Sequence, residues 1–418
     1  MSTLLIEGGR RLSGRITVEG NKNAALPLLA ACLLSDEVCE LQNVPRISDL
    51  RAMAELLTGL GAEIEGIGTS TLRVRCATVT GDTPNPALVG KLRGSVLLMG
   101  PLLARVGSVR LAPPGGDFPT RRTITTHVQA LMALGARPLN ESGQDLDAPD
   151  GLHGASFYLD EASVTGTETA LLAAAAAEGE TEIRHAACEP HVVELCEFLK
   201  AMGVQIEGAG TSTIRVHGTS KRRGATHRLN GDYIEAGSWA VIGAVTKGEV
   251  EIAGARPVDL EPVTSVLGRM GVHCELDDRC LCVKESNPVG FRHLTTGLWP
   301  GFPSDMVSLV TVLATQADGR TLIHDWMYEL RLFALEQLSG MRADLFLCDP
   351  HRIVVSGITR LRGRALDSRD LRSGMALIAA ALAADGRSSV SPLETVERGY
   401  AQVVDRLRSL GAQVEVAP

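Results

Sequence analysis

Apolar positions along the chain follow two registers that alternate. In "MAELLTGLGAEIEG" they recur at helical spacing up to Gly61 and then every second residue, as in a strand. The same change of period occurs in "VQALMALGARP" at Gly135, "LCEFLKAMGVQIEG" at Gly203, "VTSVLGRMGVHCEL" at Gly271, "LEQLSGMRADLFL" at Arg342 and "VVDRLRSLGAQVEV" at Gly411. A helix that ends on a small or flexible residue and passes straight into a strand thus recurs at intervals of 68 to 74 residues. A second helical pattern accompanies each copy and is apolar and small on nearly every side: "NAALPLLAACLL", "GSVLLMGPLLARVG", "TETALLAAAAA", "AGSWAVIGAVTKG", "DMVSLVTVLATQ" and "SGMALIAAALAADG". A half-exposed helix would carry a polar face, so these six are predicted to be core helices. Six units of two helices and several strands predict an α/β protein divided three and three between two lobes. Solenoid repeats are usually shorter, roughly 20 to 50 residues.

Composition narrows the function classes. The chain has 418 residues, 44 % hydrophobic and 22 % charged, enough for more than one sizeable core. A net charge of -8 argues against broad binding of nucleic acid or anionic membrane, both of which need a basic surface. The cysteines at 32, 39, 76, 188, 196, 274, 280, 282 and 348 form no CxxC pair and stand at no zinc spacing from histidine. They are expected to be buried reduced thiols, with no metal site. The opening "MSTLLIEGGRRLSGRITVEG" lacks the pattern of a signal peptide, and apolar runs such as "ALLAAAAA" fall short of a membrane span. A cytoplasmic protein is expected.

Charged and hydroxyl residues gather at the starts of the six core helices. Lys22 and Asn23 precede the first, Arg93 the second, and Ser163, Thr165 and Thr167 the third. Glu235 precedes the fourth, Asp305 the fifth and Arg372 the sixth. Helix amino termini carry unpaired N–H groups and partial positive charge, and so attract anions. Capping explains Ser163, Thr165 or Asp305 taken singly. It does not explain Lys22, Arg93 or Arg372, because cations are disfavoured at that end unless an anion meets them. An anionic ligand is therefore expected. His127 and His191 read as structural hydrogen-bonding residues. The stretch "LAPPGGDFPTRRTITTH", from Leu111 to His127, holds three prolines and two glycines, which exclude a continuous helix through its first half and leave Asp117 and two arginines on a shaped loop.

The segments "GNKNAALP", "LRGSVLLMGPLLARVG", "PPGGD", "ACEP", "GFPSDM", "ELR", "DLRSGMALIAA" and "VERGY", in this order and over the whole length, resemble the enolpyruvyl transferases, above all those acting on UDP-N-acetylglucosamine. The resemblance implies a two-lobed inverted (inside-out) α/β barrel of six repeats, with the active site in the cleft between lobes. One lobe would span 21–229 and carry the loop of Asp117. The other would combine 1–20 with 230–418, the chain crossing near Gly20 and near Asn230. It implies transfer of the enolpyruvyl group of phosphoenolpyruvate to an acceptor hydroxyl through a tetrahedral ketal, with phosphate leaving. Lys22 and Arg122 are implied at the phosphate, Arg331, Arg372 and Arg398 around the carboxylate, and Arg93 in the same pocket. Asp305 would take the acceptor proton, and Asn23, Ser163 and Thr165 would meet the acceptor. Asp117 stands on the implied lid where most relatives carry cysteine, so it would supply the acid and fosfomycin would fail. Phosphoenolpyruvate is a co-substrate; no cofactor, metal, nucleic-acid or membrane partner is implied.

Departures from that pattern cluster on the acceptor side. "TITT", Thr123 to Thr126, replaces the lid stretch that packs on uracil. Glu161 stands for a lysine near the nucleotide phosphates, Thr165 for a glycine, and Tyr233 for an arginine beside Asp232. An anion in place of a cation beside a diphosphate costs affinity. The expected acceptor is accordingly a uridine-type nucleotide such as UMP, modified at its 3′-hydroxyl as in nikkomycin and polyoxin biosynthesis, with UDP-N-acetylglucosamine as the alternative.

Overall fold

A computed structural model describes residues 2–116, 123–329 and 331–418. The described chain divides into two compact units, one of residues 20–116 with 123–230 and the other of 2–19 with 231–418. Each unit holds three sheets among the described residues.

Five of the six sheets share one wiring. In the sheet of Ser156–Tyr158, Glu180–Arg184, Gln205–Glu207 and Thr213–His217, the first two strands run parallel and the remaining neighbours antiparallel. The parallel pair is joined through the core helix Val164–Ala174, and the helix Pro190–Ala201 precedes the antiparallel hairpin. A parallel pair needs such a crossover, whereas a hairpin needs only a turn. Three sheets close with strands distant in sequence. Thr226–Arg228 pairs with Cys39–Gln42, Ser13–Thr17 with Glu249–Ala253, and Thr3–Glu7 lies between Arg387–Ser391 and Gln413–Ala417.

The helix-to-strand junctions share one conformation. Gly61, Gly135, Gly203, Gly271, Arg342 and Gly411 all have positive φ, from 74° to 103°. In all six the following residue returns its N–H to a carbonyl five residues back: Ala62 to Leu57, Ala136 to Leu131, Val204 to Leu199, Val272 to Leu267, Ala343 to Leu338 and Ala412 to Leu407. This is the Schellman closure, which satisfies carbonyls the helix leaves open. Arg342 adopts it at φ 74° without the freedom glycine has. Sequence predicts a regular helix before Arg342; the structure instead has a 3-10 segment, Arg331–Glu336, followed by one turn, Gln337–Gly340. The tighter winding starts at Arg331, whose side chain is held at Ser304 and Asp305.

Core helices are largely buried, as their composition predicts: every residue of Tyr233–Val245 and Val307–Thr315 is buried, whereas Met99–Val106 ends on an exposed valine. Those two pack on each other and on Leu371–Ala383, forming the centre of their unit. In the other unit Val164–Ala174 packs on Arg93–Leu98 and Met99–Val106, and Lys22–Cys32 also meets Arg93–Leu98. No described helix is long and apolar enough to cross a membrane. The nine cysteines are free thiols, but the expectation that all are buried fails: Cys348 is exposed, and Cys188, Cys274, Cys280 and Cys282 are half-buried. Cys280 and Cys282 lie two apart on one strand, so they share a face, the one opposite buried Leu281.

Candidate active site

In the unit containing the carboxy-terminal half, Asp305 is the meeting point of two arginines. Pro303 enters in an extended conformation, and the 3-10 turn Ser304–Met306 then leads into the Val307–Thr315 helix. Arg331 Nη1 donates to Asp305 Oδ1 at 3.2 Å, and Arg372 Nη2 donates to Oδ2 at 2.8 Å. Asp305 is therefore an ion-pairing group here, and the capping reading of it fails. Arg331 Nη1 also donates to Ser304 Oγ at 2.8 Å, and the Ser304 hydroxyl donates to Asp325. Asp325 is wholly buried and also accepts from Thr296 at 2.8 Å, so the support behind Arg331 is a satisfied polar network. Tyr328 stacks beneath the Arg331 guanidinium, 4.3 Å from its ring centre.

Arg372 enters from the start of Leu371–Ala383, where Asp370 caps the helix by accepting from the N–H groups of Arg372 and Ser373. Burial works to lower its pKa, but the charge of Asp305, with Tyr400 and Asp232 behind it, drives the value upward. The guanidinium is a permanent cation with a carboxylate in front of it. Arg398 stands half-buried in the turn after Leu393–Val396, two residues before Tyr400, whose phenol meets Arg372.

In the other unit Lys22 opens the Lys22–Cys32 helix, capped by Asn21, which accepts from Asn23 N–H at 2.8 Å and Ala24 N–H at 3.3 Å. Lys22 Nζ lies 2.7 Å from Asp49 Oδ2. Asp49 for Lys22 and Asp305 for Arg372 correct the inference that only an external anion explains cations at these helix starts: each already faces a carboxylate of its own unit. Arg93 opens the 3-10 segment Arg93–Leu98 and donates to the Thr123 carbonyl at 2.6 Å.

Ser163 is the N-cap of Val164–Ala174, its hydroxyl accepting from Gly166 N–H at 3.2 Å. Thr165 does not cap; its hydroxyl lies 3.2 Å from His127 Nε2, while His127 Nδ1 lies 2.9 Å from the Thr169 hydroxyl. The departures on this side prove to be partners of one another or of the core. Thr126 of "TITT" donates to Glu161 at 3.2 Å, and Tyr233 is buried with its ring edge-on to Trp299. Asp117 and Arg122 lie outside the described residues. Asp49, Asp325, Ser238 and the role of Tyr400 escape sequence reading. Only Tyr400 had a signal, as the last residue of "VERGY".

The family model of EPSP synthase (3-phosphoshikimate 1-carboxyvinyltransferase) matches residues 6–407. The UDP-N-acetylglucosamine 1-carboxyvinyltransferase of Bradyrhizobium diazoefficiens is 42 % identical over 422 residues, covering 99 % of this chain and 98 % of the relative. That of Treponema denticola is 41 % identical, covering 100 % and 99 %. Among solved structures, the enolpyruvyl transferase NikO from Streptomyces tendae superposes with a TM-score of 0.88 at 26 % identity, over 100 % of this chain and 99 % of NikO. EPSP synthase from Acinetobacter baumannii superposes at 0.76 with 18 % identity over the full length of both chains, a likeness of fold. With its mixed α/β fold and a match that runs from end to end, this chain belongs to the EPSP synthase family of enolpyruvyl (carboxyvinyl) transferases.

Proposed function

We propose that this chain transfers the enolpyruvyl group of phosphoenolpyruvate to a hydroxyl of UDP-N-acetylglucosamine, releasing phosphate. The observation that carries the reading is Asp305 held between Arg331 and Arg372. Both guanidiniums can exchange the Asp305 carboxylate for the donor carboxylate, since each offers several N–H groups in a planar fork. Asp305, relieved of them, is left to accept the proton of the acceptor hydroxyl as its oxygen attacks C2 of the donor. Asp117 gives its proton to C3, forming the tetrahedral ketal. Loss of phosphate from C2 and of a proton from C3 then restores the double bond. Lys22, Arg93, Arg122 and Arg398 serve the donor's anionic ends in this reading, and Asn23, Ser163 and Thr165 the acceptor. The two compact units correspond to two lobes of three repeats each. No metal or cofactor takes part, so turnover survives a chelator.

The acceptor rests on relatives at 36–42 % identity that are named UDP-N-acetylglucosamine 1-carboxyvinyltransferases, against 26 % for NikO. That reverses the order in which sequence ranks the two acceptors. The second reading, a uridine nucleotide such as UMP, is favoured by the Thr126–Glu161 contact and by burial of Tyr233, which remake three acceptor-side positions. Incubation with phosphoenolpyruvate and each nucleotide in turn, followed by phosphate release and mass spectrometry of the acceptor, separates them. The added three-carbon unit is expected on UDP-N-acetylglucosamine; its appearance on UMP alone establishes the second reading, and its absence from every acceptor sinks both.

A further inference from the structure

Tyr400 is fully buried, yet its hydroxyl lies within reach of two polar groups: Ser238 Oγ at 2.8 Å and Arg372 Nη1 at 3.4 Å. The direction of these bonds can be assigned by counting protons. Ser238 lies in Tyr233–Val245, and its hydroxyl is 2.7 Å from the Ile234 carbonyl one turn earlier. A carbonyl only accepts, so the Ser238 proton points to Ile234. Ser238 Oγ is then an acceptor, and the Tyr400 proton points to it. The phenol oxygen is left with lone pairs toward Arg372, which can only donate. Burial pushes the Tyr400 phenol upward against the pull of Arg372, keeping the proton that this order requires.

Close packing holds the two hydroxyls in place. A Cβ at Gly237, next to Ser238, would stand 2.8 Å from Met306 Cε, and one at Gly399, next to Tyr400, 2.6 Å from Leu371 Cδ2. Gly237 and Gly399 thus pack closely on side chains whose residues adjoin Asp305 and Arg372.

We propose that Tyr400 and Ser238 are positioning residues: a proton-ordered chain from the Ile234 carbonyl through both hydroxyls presents an acceptor to Arg372 and fixes its guanidinium at the Asp305 carboxylate. The inference extends the reading of Arg372 as a ligand of the donor carboxylate and rests on it. Tyr400→Phe keeps the ring and its packing while removing the acceptor, leaving a buried guanidinium N–H without that partner. The KM for phosphoenolpyruvate is expected to rise about fivefold to twentyfold, with kcat changed less than about threefold and the acceptor KM unmoved. Ser238→Ala strands the phenol proton and should shift the same KM in the same direction by less.

The deciding measurement is a cycle of wild type, Tyr400→Phe, Arg372→Lys and the double variant, read by donor KM and by thermal midpoint. If Tyr400 acts through Arg372, Tyr400→Phe adds less than about twofold to the KM of the Arg372→Lys protein, and the midpoints are non-additive. Effects that multiply in KM and add in midpoint overturn the proposal. An Arg372→Lys protein with unchanged donor KM but coupled midpoints overturns the donor role of Arg372 and leaves the Tyr400–Arg372 link standing.

Discussion

Lys22 Nζ and Asp49 Oδ2 are 2.7 Å apart, with side-chain exposures of 11 % and 7 %. Such a pair is held together less by its net contribution than by the penalty of stranding either charge. Asp49→Asn takes the carboxylate away from a nearly buried ammonium, at a cost of about 3 kcal/mol, which lowers the thermal midpoint by roughly 5–10 °C. Adding Lys22→Met to that variant removes the ammonium as well and should recover part of the loss. Scanning calorimetry of the three proteins checks it, and a double variant no more stable than the single one refutes it.

Asp117 carries the acid chemistry in the proposed reaction. A general acid contributes about 100-fold to 10,000-fold, so Asp117→Asn should reduce kcat by at least about 100-fold with little change in the KM of either substrate. The wild-type carboxylate lacks the thiolate nucleophile that an epoxide needs. Fosfomycin should therefore leave wild type active and unmodified. Asp117→Cys should become time-dependently inactivated, with a mass adduct on the peptide containing position 117. Inactivation of wild type with an adduct at that peptide counts against the assignment.

How far the sequence carries depends on whether a feature is periodic. The core helices are legible because burial on most sides makes them apolar at nearly every position, and the junctions because a left-handed residue favours glycine. The ends of Lys22 and Arg372 are legible only as charges out of place, and that of Arg331 only through the family resemblance. What they touch is set by residues far away in the chain: Asp49 sits in an ordinary amphipathic helix and Asp325 after an ordinary strand, and neither disturbs the pattern around it. The same blindness hides the packing of Tyr233 on Trp299, and makes Thr126, Thr165 and Glu161 look independent when Thr126 bonds Glu161 and Thr165 bonds His127.

Arg342 is the single non-glycine among the six helix-to-strand junctions, at φ 74° with an exposed side chain. A left-handed L-residue costs roughly 1–2 kcal/mol, partly offset by the greater freedom glycine has when unfolded, roughly 0.4–1 kcal/mol. Arg342→Gly should thus stabilise the protein by about 0.5 kcal/mol or slightly more, seen as a midpoint raised by a degree or two with activity unchanged. Gly61→Ala should do the reverse, because its Cβ would stand 2.7 Å from the Thr78 carbonyl oxygen at φ 99°. A destabilised Arg342→Gly protein would show that the arginine side chain does more than tolerate its backbone.

Glu168 is buried in the Val164–Ala174 helix, and its Oε1 has no hydrogen-bond partner among the described residues. Burial first, and then the neighbouring charge of Glu189, raises its pKa well above the usual 4.5. The folded state therefore keeps a proton that the unfolded chain releases at about pH 4.5. Stability is undiminished below that pH and falls as the pH rises toward the folded value, because over that window the folded state binds more protons than the unfolded. Glu168→Gln keeps the shape and removes the titration. Its thermal midpoint relative to wild type should climb as the pH is raised from about 4.5 through 8, the gap levelling off only above the folded pKa. A difference that stays flat across that range, or shrinks, would mean that this carboxyl is ionised in the native protein and that a cation or water satisfies it.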